Sequence, residues 1–172
     1  PYNVPIACWN VEFVTDMSSA FVYKKNFNEP IGAWNVSRVT AMEWMFSFAS
    51  SFNQPLEAWD VGNVRNMYSM FDSASFFNQP LEAWDVGNVK SMAAMFHSTS
   101  TFQQPIEAWN VGKVTDMDSM FCQAYSFNQP LEAWDVGNVT NMDSTFEYAS
   151  SFDQPLLDCS RNRKIRVTIQ SG

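Results

Sequence analysis

The stretch Phe77-Asn78-Gln79-Pro80-Leu81-Glu82-Ala83-Trp84-Asp85-Val86-Gly87-Asn88-Val89 is repeated almost word for word from Phe52 and from Phe127, and more loosely from Phe27 and Phe102. Six tryptophans keep time with it: Trp9, Trp34, Trp59, Trp84, Trp109 and Trp134 stand 25 residues apart. A fixed period of about 20–50 residues marks an array in which each repeat is one rung, unable to bury its apolar face alone and stable only when stacked on its neighbours. Proline recurs at 5, 30, 55, 80, 105, 130 and 155. Its fixed φ suits a corner, and its missing N–H does no harm just ahead of a strand.

Within one rung, Leu56, Trp59 and Val61 follow the L-x-x-L-x-L spacing that marks the short parallel strand of leucine-rich repeats. Side chains alternate across a strand, so Ala58, Asp60 and Gly62 are expected outward. Val64, Met67, Met70, Phe71 and Ala74 then recur at three and four residues, which predicts one face of a short helix. Asn63 is placed to cap it, as are Asn88 and Asn138. The predicted fold is therefore α/β: a right-handed leucine-rich-repeat-like solenoid with one short parallel strand and one short helix per 25-residue rung, about six rungs and a C-terminal cap. Residues 1–157 form the repeats and residues 158–172 the capping segment, with Ile165-Arg166-Val167-Thr168-Ile169 alternating like a strand. The indoles of Trp9, Trp34, Trp59, Trp84, Trp109 and Trp134 are expected to lie one above another as the structural core.

The 172 residues, 46% hydrophobic and 16% charged, suffice for one domain with a substantial core. No apolar run approaches the roughly 18 residues needed to span a bilayer. The net charge is −8. Residues 1–157 carry 17 acids against 6 Lys or Arg, a balance of −11, while Arg161, Arg163, Lys164 and Arg166 gather in the tail. An acidic body repels phosphate backbones, so no nucleic-acid partner is expected. Cys8, Cys122 and Cys159 are read as free thiols. With strands about 4.8 Å apart, Cys8 and Cys159 would be some 29 Å apart, beyond disulfide reach.

The wording carried by Trp59-Asp60-Val61, Val64, Met67, Met70-Phe71, Ala74 and Phe77-Asn78-Gln79-Pro80-Leu81 resembles the BspA-like leucine-rich repeat group, in particular its mycoplasma-lipoprotein-type 25-residue variant. The resemblance covers residues 2–156. It implies an extracellular or cell-surface protein of a bacterium, a mycoplasma or a single-celled eukaryote, with adhesion or protein binding as its role and no catalytic residue. Leucine is scarce here, and Trp, Met and Phe take its place.

The chemistry-bearing residues point the same way. His97 is the only histidine, and nothing pairs it with a repeated Cys, a nucleophile or a phosphate-binding loop, so no enzyme is expected. Two polar columns stand out. One holds Asn10, Asn35, Asp60, Asp85, Asn110 and Asp135; the other holds Glu57, Glu82, Glu107 and Glu132. Stacked carboxylates make Ca²⁺ the one candidate ion, since it wants six to eight oxygens. Neighbouring charges about 4.8 Å apart in water repel by only about 0.9 kcal/mol, however, so a solvated ladder suffices and no cofactor is required. The Asn/Gln pairs at the corners (Asn53-Gln54, Asn78-Gln79, Gln103-Gln104, Asn128-Gln129) are expected to satisfy backbone groups. Trp44, standing where other rungs have Ser or Ala, is a candidate contact anchor. Asn35-Val36-Ser37 and Asn138-Val139-Thr140 are glycosylation acceptors in a secreted eukaryotic chain.

The expected function is a non-catalytic extracellular scaffold that binds a protein or glycan at a surface through Asn35, Glu57, Asp60, Glu82, Asp85, Glu107, Asn110, Glu132 and Asp135 on its strand face. The alternative is a structural subunit of an extracellular fibre or coat that binds copies of itself through faces or ends.

Overall fold

The computed structural model of the chain describes residues 4–158 and 163–165. The 25-residue period is the stacking period. Isolated parallel bridges join Asp16 to Ala41, Ala41 to Asn66, Asn66 to Ser91, Ser91 to Asp116 and Asp116 to Asn141, each residue lying on its counterpart one rung later.

The content of each rung is not the predicted strand and helix. Among the described residues the only helical element is a three-residue 3₁₀ turn, Ile6–Cys8. The only strands among them are β1 (Leu156–Asp158) and β2 (Arg163–Ile165), which pair antiparallel with Leu156 opposite Ile165. β2 takes in only the first residue of the predicted strand, and residues 166–169 lie outside the described part. The α/β assignment is thus overturned, and the two halves of the rung exchange roles.

The predicted strand, Leu56–Val61, is a run of tight turns: Trp59 N–H donates to the Leu56 carbonyl at 3.0 Å and Val64 N–H to the Val61 carbonyl at 2.9 Å. It makes no backbone ladder with the next rung. The predicted helix carries the ladder instead. Met67, Ser69, Phe71 and Ser73 donate their N–H groups across to the carbonyls of Ser91, Ala93, Met95 and His97 at 2.8–3.0 Å. The residues between them turn inward: Met70, Asp72 and Ala74 donate to Met67, Ser69 and Phe71 at 3.0–3.2 Å. Alternate amides therefore point along the stack and within the rung, and the same pattern repeats from Met17, Met42, Met92 and Met117.

This ribbon of overlapping turns needs a left-handed residue at every fourth position. Ser19 and Tyr23, Trp44 and Phe48, Ser69 and Ser73, Ala94 and Ser98, Ser119 and Gln123, and Ser144 and Tyr148 all have φ of 51–60°. None of them is glycine, and none of the described glycines has positive φ. The reason a helix is excluded is the pitch. Rings of successive rungs lie 5.4–5.7 Å apart along the Phe21, Phe46, Phe71, Phe96, Phe121 and Phe146 column. An α-helix with its side chains is about 10–12 Å across and cannot be stacked at half that spacing. A hydrogen-bonded ribbon can, because its neighbours sit at the separation of paired strands, about 4.8 Å.

The core follows from this geometry, and it corrects the expectation of an indole spine. Two phenylalanine columns run the length of the stack. The second column, Phe27, Phe52, Phe77, Phe102, Phe127 and Phe152, has ring spacings of 5.7–6.2 Å. Within each rung the two columns meet face to face, as in Phe71–Phe77 at 4.0 Å and 11°. Trp34, Trp59, Trp84, Trp109 and Trp134 are buried at 3–7% exposure. Each lies tilted against the phenylalanine of the preceding rung, as Trp84 does on Phe71 at 6.4 Å and 31°. Their N–H groups tie rung to rung: Trp84 Nε1 donates to the Leu56 carbonyl at 2.9 Å and Trp109 Nε1 to the Leu81 carbonyl at 2.9 Å. Indole stacks on indole only between Trp9 and Trp34, at 6.4 Å and 12°, and Trp9 is 53% exposed. The methionines Met67, Met70, Met92 and Met95 are fully buried beside the rings, where unbranched side chains fill irregular gaps.

Asparagine side chains sew the corners. Asn53 Oδ1 accepts from Asn78 N–H and from Gln79 Nε2, both at 3.0 Å, and Asn78 Oδ1 does the same for Gln103 and Gln104. The expected helix caps act between rungs instead. Asn63, Asn88 and Asn138 donate Nδ2 to the carbonyls of Ser37, Gly62 and Gly112, one rung back, at 2.7–2.8 Å.

Candidate interaction surfaces

The structure places the residues singled out in the sequence on the face formed by the tight turns. Asp60, Asp85 and Asp135 are exposed, as are Asn35 and Asn110. In each of them Oδ1 accepts the backbone N–H two residues on: Asp60 from Gly62, Asp85 from Gly87, Asn110 from Gly112, Asp135 from Gly137 and Asn35 from Ser37, at 2.9–3.2 Å. Asn10 does the same for Glu12 at 3.0 Å. This is an Asx turn, which needs only one side-chain carbonyl-type oxygen. Asp and Asn therefore alternate freely along the column, and local backbone geometry accounts for it. Glycine follows in four of the six, where space is tightest at Gly87, whose Cβ would lie 3.0 Å from Asp85 Oδ1; Ser37 and Glu12 hold the same place after Asn35 and Asn10. Glu57, Glu82 and Glu132 project into solvent and Glu107 is partly covered. Among the described residues no group of three or more His, Cys, Asp or Glu side chains is arranged to hold a metal ion.

A different surface breaks the repeat. On the ribbon face the left-handed positions are mostly small or polar: Ser69, Ser73, Ala94, Ser98, Ser119, Gln123 and Ser144. At the N-terminal end three of the four, all but Ser19, are large and aromatic, and Tyr148 in the last rung is the one other aromatic among them. Tyr23, Trp44 and Phe48 are 65%, 44% and 37% exposed, with φ of 60°, 54° and 58°. Tyr23 stacks on Phe48 at 4.9 Å, and Trp44 meets Tyr68 edge-on at 5.1 Å and 84°. Between them opens a cavity of about 360 Å³ walled by Tyr23, Trp44 and Phe48, with Ser19, Ser47 and Asp72 on its lining. Trp44 alone among the seven tryptophans makes no hydrogen bond through Nε1 to a described residue. The sequence pointed to Trp44. It missed Tyr23 and Phe48, whose signal was available: they share a column with Ser73, Ser98 and Gln123 four residues after the Trp44 column.

The N-terminal rung also leaves an open groove of about 810 Å³, lined by Trp9, Val14, Met17, Phe21, Phe27 and Trp34 among others. The carbonyls of Asp16, Ser18, Ala20 and Val22, whose counterparts in later rungs accept the cross-rung bonds, accept no backbone hydrogen bond from described residues.

The remaining chemistry is quiet. His97 Nδ1 lies 2.9 Å from Asp72 Oδ1. Cys8 is exposed and Cys122 buried, and both are free thiols, while Cys159 lies outside the described residues. Burial, then the carboxylates of Glu147 and Asp118, push the Cys122 thiol up from its ordinary range. Hydrogen bonds from the Ser18 side chain and backbone hold Asp16 below the usual carboxylate value. Among the described residues no helix is long and apolar enough to cross a membrane.

The repeat wording matches the family described as "Mycoplasma protein of unknown function, DUF285", over residues 2–100 and again over 77–168. The chain belongs to this family. No curated protein matches it.

Proposed function

We propose that this DUF285 chain is a non-catalytic, extracellular or cell-surface binding module whose rigid stack presents the Tyr23, Trp44 and Phe48 cluster to a protein or glycan partner. The observation that carries this reading is the coincidence of exposure and strain. A bulky residue at positive φ is a genuine outlier, and left-handed φ costs an L-residue about 1–2 kcal/mol. The same positions elsewhere in the chain hold serine, alanine or glutamine, apart from the single Tyr148 in the last rung, so the stack is built without a cluster of aromatic rings there. Strain retained together with exposed apolar area is the mark of a site kept for contact rather than for folding. Trp and Tyr are the residues that most often anchor interfaces. Resemblance to the BspA-like surface repeats supports the same class of function. The Asx column, which the sequence suggested as the contact, uses Oδ1 for the local backbone and remains exposed on the other face.

The test compares immobilised wild type with a Trp44→Ser/Phe48→Ser double variant for retention of cell-surface proteins and of defined glycans. Loss of a retained partner with an unchanged melting temperature is expected. Identical retention by both proteins would remove the cluster from the proposal.

A second reading, self-assembly of copies through their ends, is favoured by the open N-terminal groove and its carbonyls, which accept no backbone bond from described residues. Four bonds per rung, as from Met67, Ser69, Phe71 and Ser73, run from N–H to the next rung's carbonyl, against fewer that run back, as from Lys90 to Arg65, so this end offers mainly acceptors. Two rows made mainly of acceptors pair poorly with each other, which favours head-to-tail, open-ended assembly. Sedimentation that is independent of concentration would dismiss it.

A further inference from the structure

We infer that the cavity between Trp44 and the Tyr23–Phe48 pair is an arginine-binding pocket, taking the guanidinium of a partner protein's surface segment; this rests on the proposal that the aromatic cluster is the contact site. Three observations converge on a planar cation. The walls are aromatic: Tyr23 and Phe48 stack at 4.9 Å, and Trp44 closes the other side. Aromatic faces attract cations within about 6 Å, and guanidinium, being flat and weakly hydrated, also stacks on them. The one charged side chain on the lining is an acid, Asp72. Its Oδ1 is occupied by Ser73 Oγ and His97 Nδ1, both at 2.9 Å, while Oδ2 has no hydrogen-bond partner among the described residues. His97 occupies only Oδ1, and the nearby lysines, Lys24 and Lys25, line the neighbouring end groove, not this cavity. A body with 17 acids against 6 basic residues over residues 1–157 favours approach of a basic segment.

The cavity, at about 360 Å³, sits at the small end of ligand sites, which fits one side chain rather than an extended polymer. A neutral sugar would use the rings but bring no charge to Asp72 Oδ2. A lysine would supply the charge but not a flat face.

The experiment follows the Trp44 indole N–H signal by NMR, assigned by its disappearance in Trp44→Ser. The probes are acetyl-Gly-Arg-Gly-amide, the same peptide with citrulline in place of arginine, and methyl α-glucoside. The arginine peptide should shift the signal saturably, with the neutral citrulline peptide weaker by about tenfold or more. Asp72→Asn, which keeps Oδ1 for Ser73 and His97, should weaken the arginine peptide by a similar factor and leave the citrulline peptide unchanged. Equal binding of the two peptides, stronger binding of the glucoside, indifference to Asp72→Asn, or no shift with the arginine peptide would each overturn the pocket's assignment. The broader reading fails separately, through retention of macromolecular partners that is indifferent to Trp44→Ser/Phe48→Ser.

Discussion

Replacing Ala94 with glycine separates a ribbon of turns from a helix more cleanly than any other single substitution. Ala94 has φ of 52°, is partly exposed, and donates its N–H to the Asp118 carbonyl at 2.7 Å. Left-handed φ costs alanine about 1–2 kcal/mol, and glycine avoids this cost. Against that stands the extra backbone entropy that glycine loses, roughly 0.5–1 kcal/mol. The methyl group is not in the core, so no cavity is left behind. The net expectation is a gain of roughly 0.5–1 kcal/mol, read as a higher urea midpoint at constant m-value. In a helix the same change would lose about 1 kcal/mol. The neighbouring residue is an internal control: Ala93 is 2% exposed and is not among the left-handed residues. Ala93→Gly should therefore destabilise by about 1 kcal/mol through backbone entropy and lost burial. Opposite signs at adjacent alanines are the signature of the ribbon. A loss of about 1 kcal/mol at both positions would refute it.

Further outcomes follow from other contacts. Trp84→Phe keeps most of the ring but removes the indole bond to the Leu56 carbonyl, which retains the Trp59 N–H, and should cost about 0.5–1.5 kcal/mol in denaturant titration. Phe71→Ala removes a ring that touches Phe46, Phe77, Phe96 and Trp84, with an expected loss of about 3–5 kcal/mol. Asp85→Asn keeps the Asx-turn acceptor and should change stability by less than about 0.5 kcal/mol, whereas Asp85→Ala should lose roughly 0.5–1.5 kcal/mol. Equal losses would mean that the charge, not the turn, matters. For the thiols, Cys8 should react with a maleimide at neutral pH while Cys122 stays protected. Because the folded Cys122 thiol is raised above its ordinary value of 9.0, its contribution to stability is present below pH 9 and lost as pH climbs through the raised value. Alkylation of both at the same rate would contradict its burial.

The period was legible in the sequence and the local backbone was not, for a definable reason. Trp59, Trp84 and Trp109 report the stacking interval directly, because any stack with a fixed register must repeat its inward residues at that interval. The spacing of Val64, Met67, Met70, Phe71 and Ala74 is ambiguous. A helix brings residues three and four apart to one face, and so does a ribbon of overlapping turns with a left-handed residue at every fourth position. Left-handed residues usually announce themselves as glycine or asparagine. Here they are Ser69, Ser73, Ala94 and Ser98, which carry no such signal. The decisive constraint, that successive rungs lie about half a helix diameter apart, emerges only once Phe71 and Phe96 are seen ring over ring at 5.7 Å. Likewise the hydrogen bonds that Asp60 and Asp85 accept from Gly62 and Gly87 were not legible, because they are a matter of conformation rather than composition. At the aromatic cluster, Trp44 stood out because its column was compared across rungs. Tyr23 and Phe48 become visible by the same comparison made four residues further on.

The segment that reads as a helix is bonded sideways to the next rung. Scalar coupling across the hydrogen bond of the Phe71 amide tests it directly. The expected signal is a correlation from the Phe71 nitrogen to the carbonyl carbon of Met95, across the bond measured at 2.9 Å. A correlation to the carbonyl of Met67, four residues back along the chain, would contradict it.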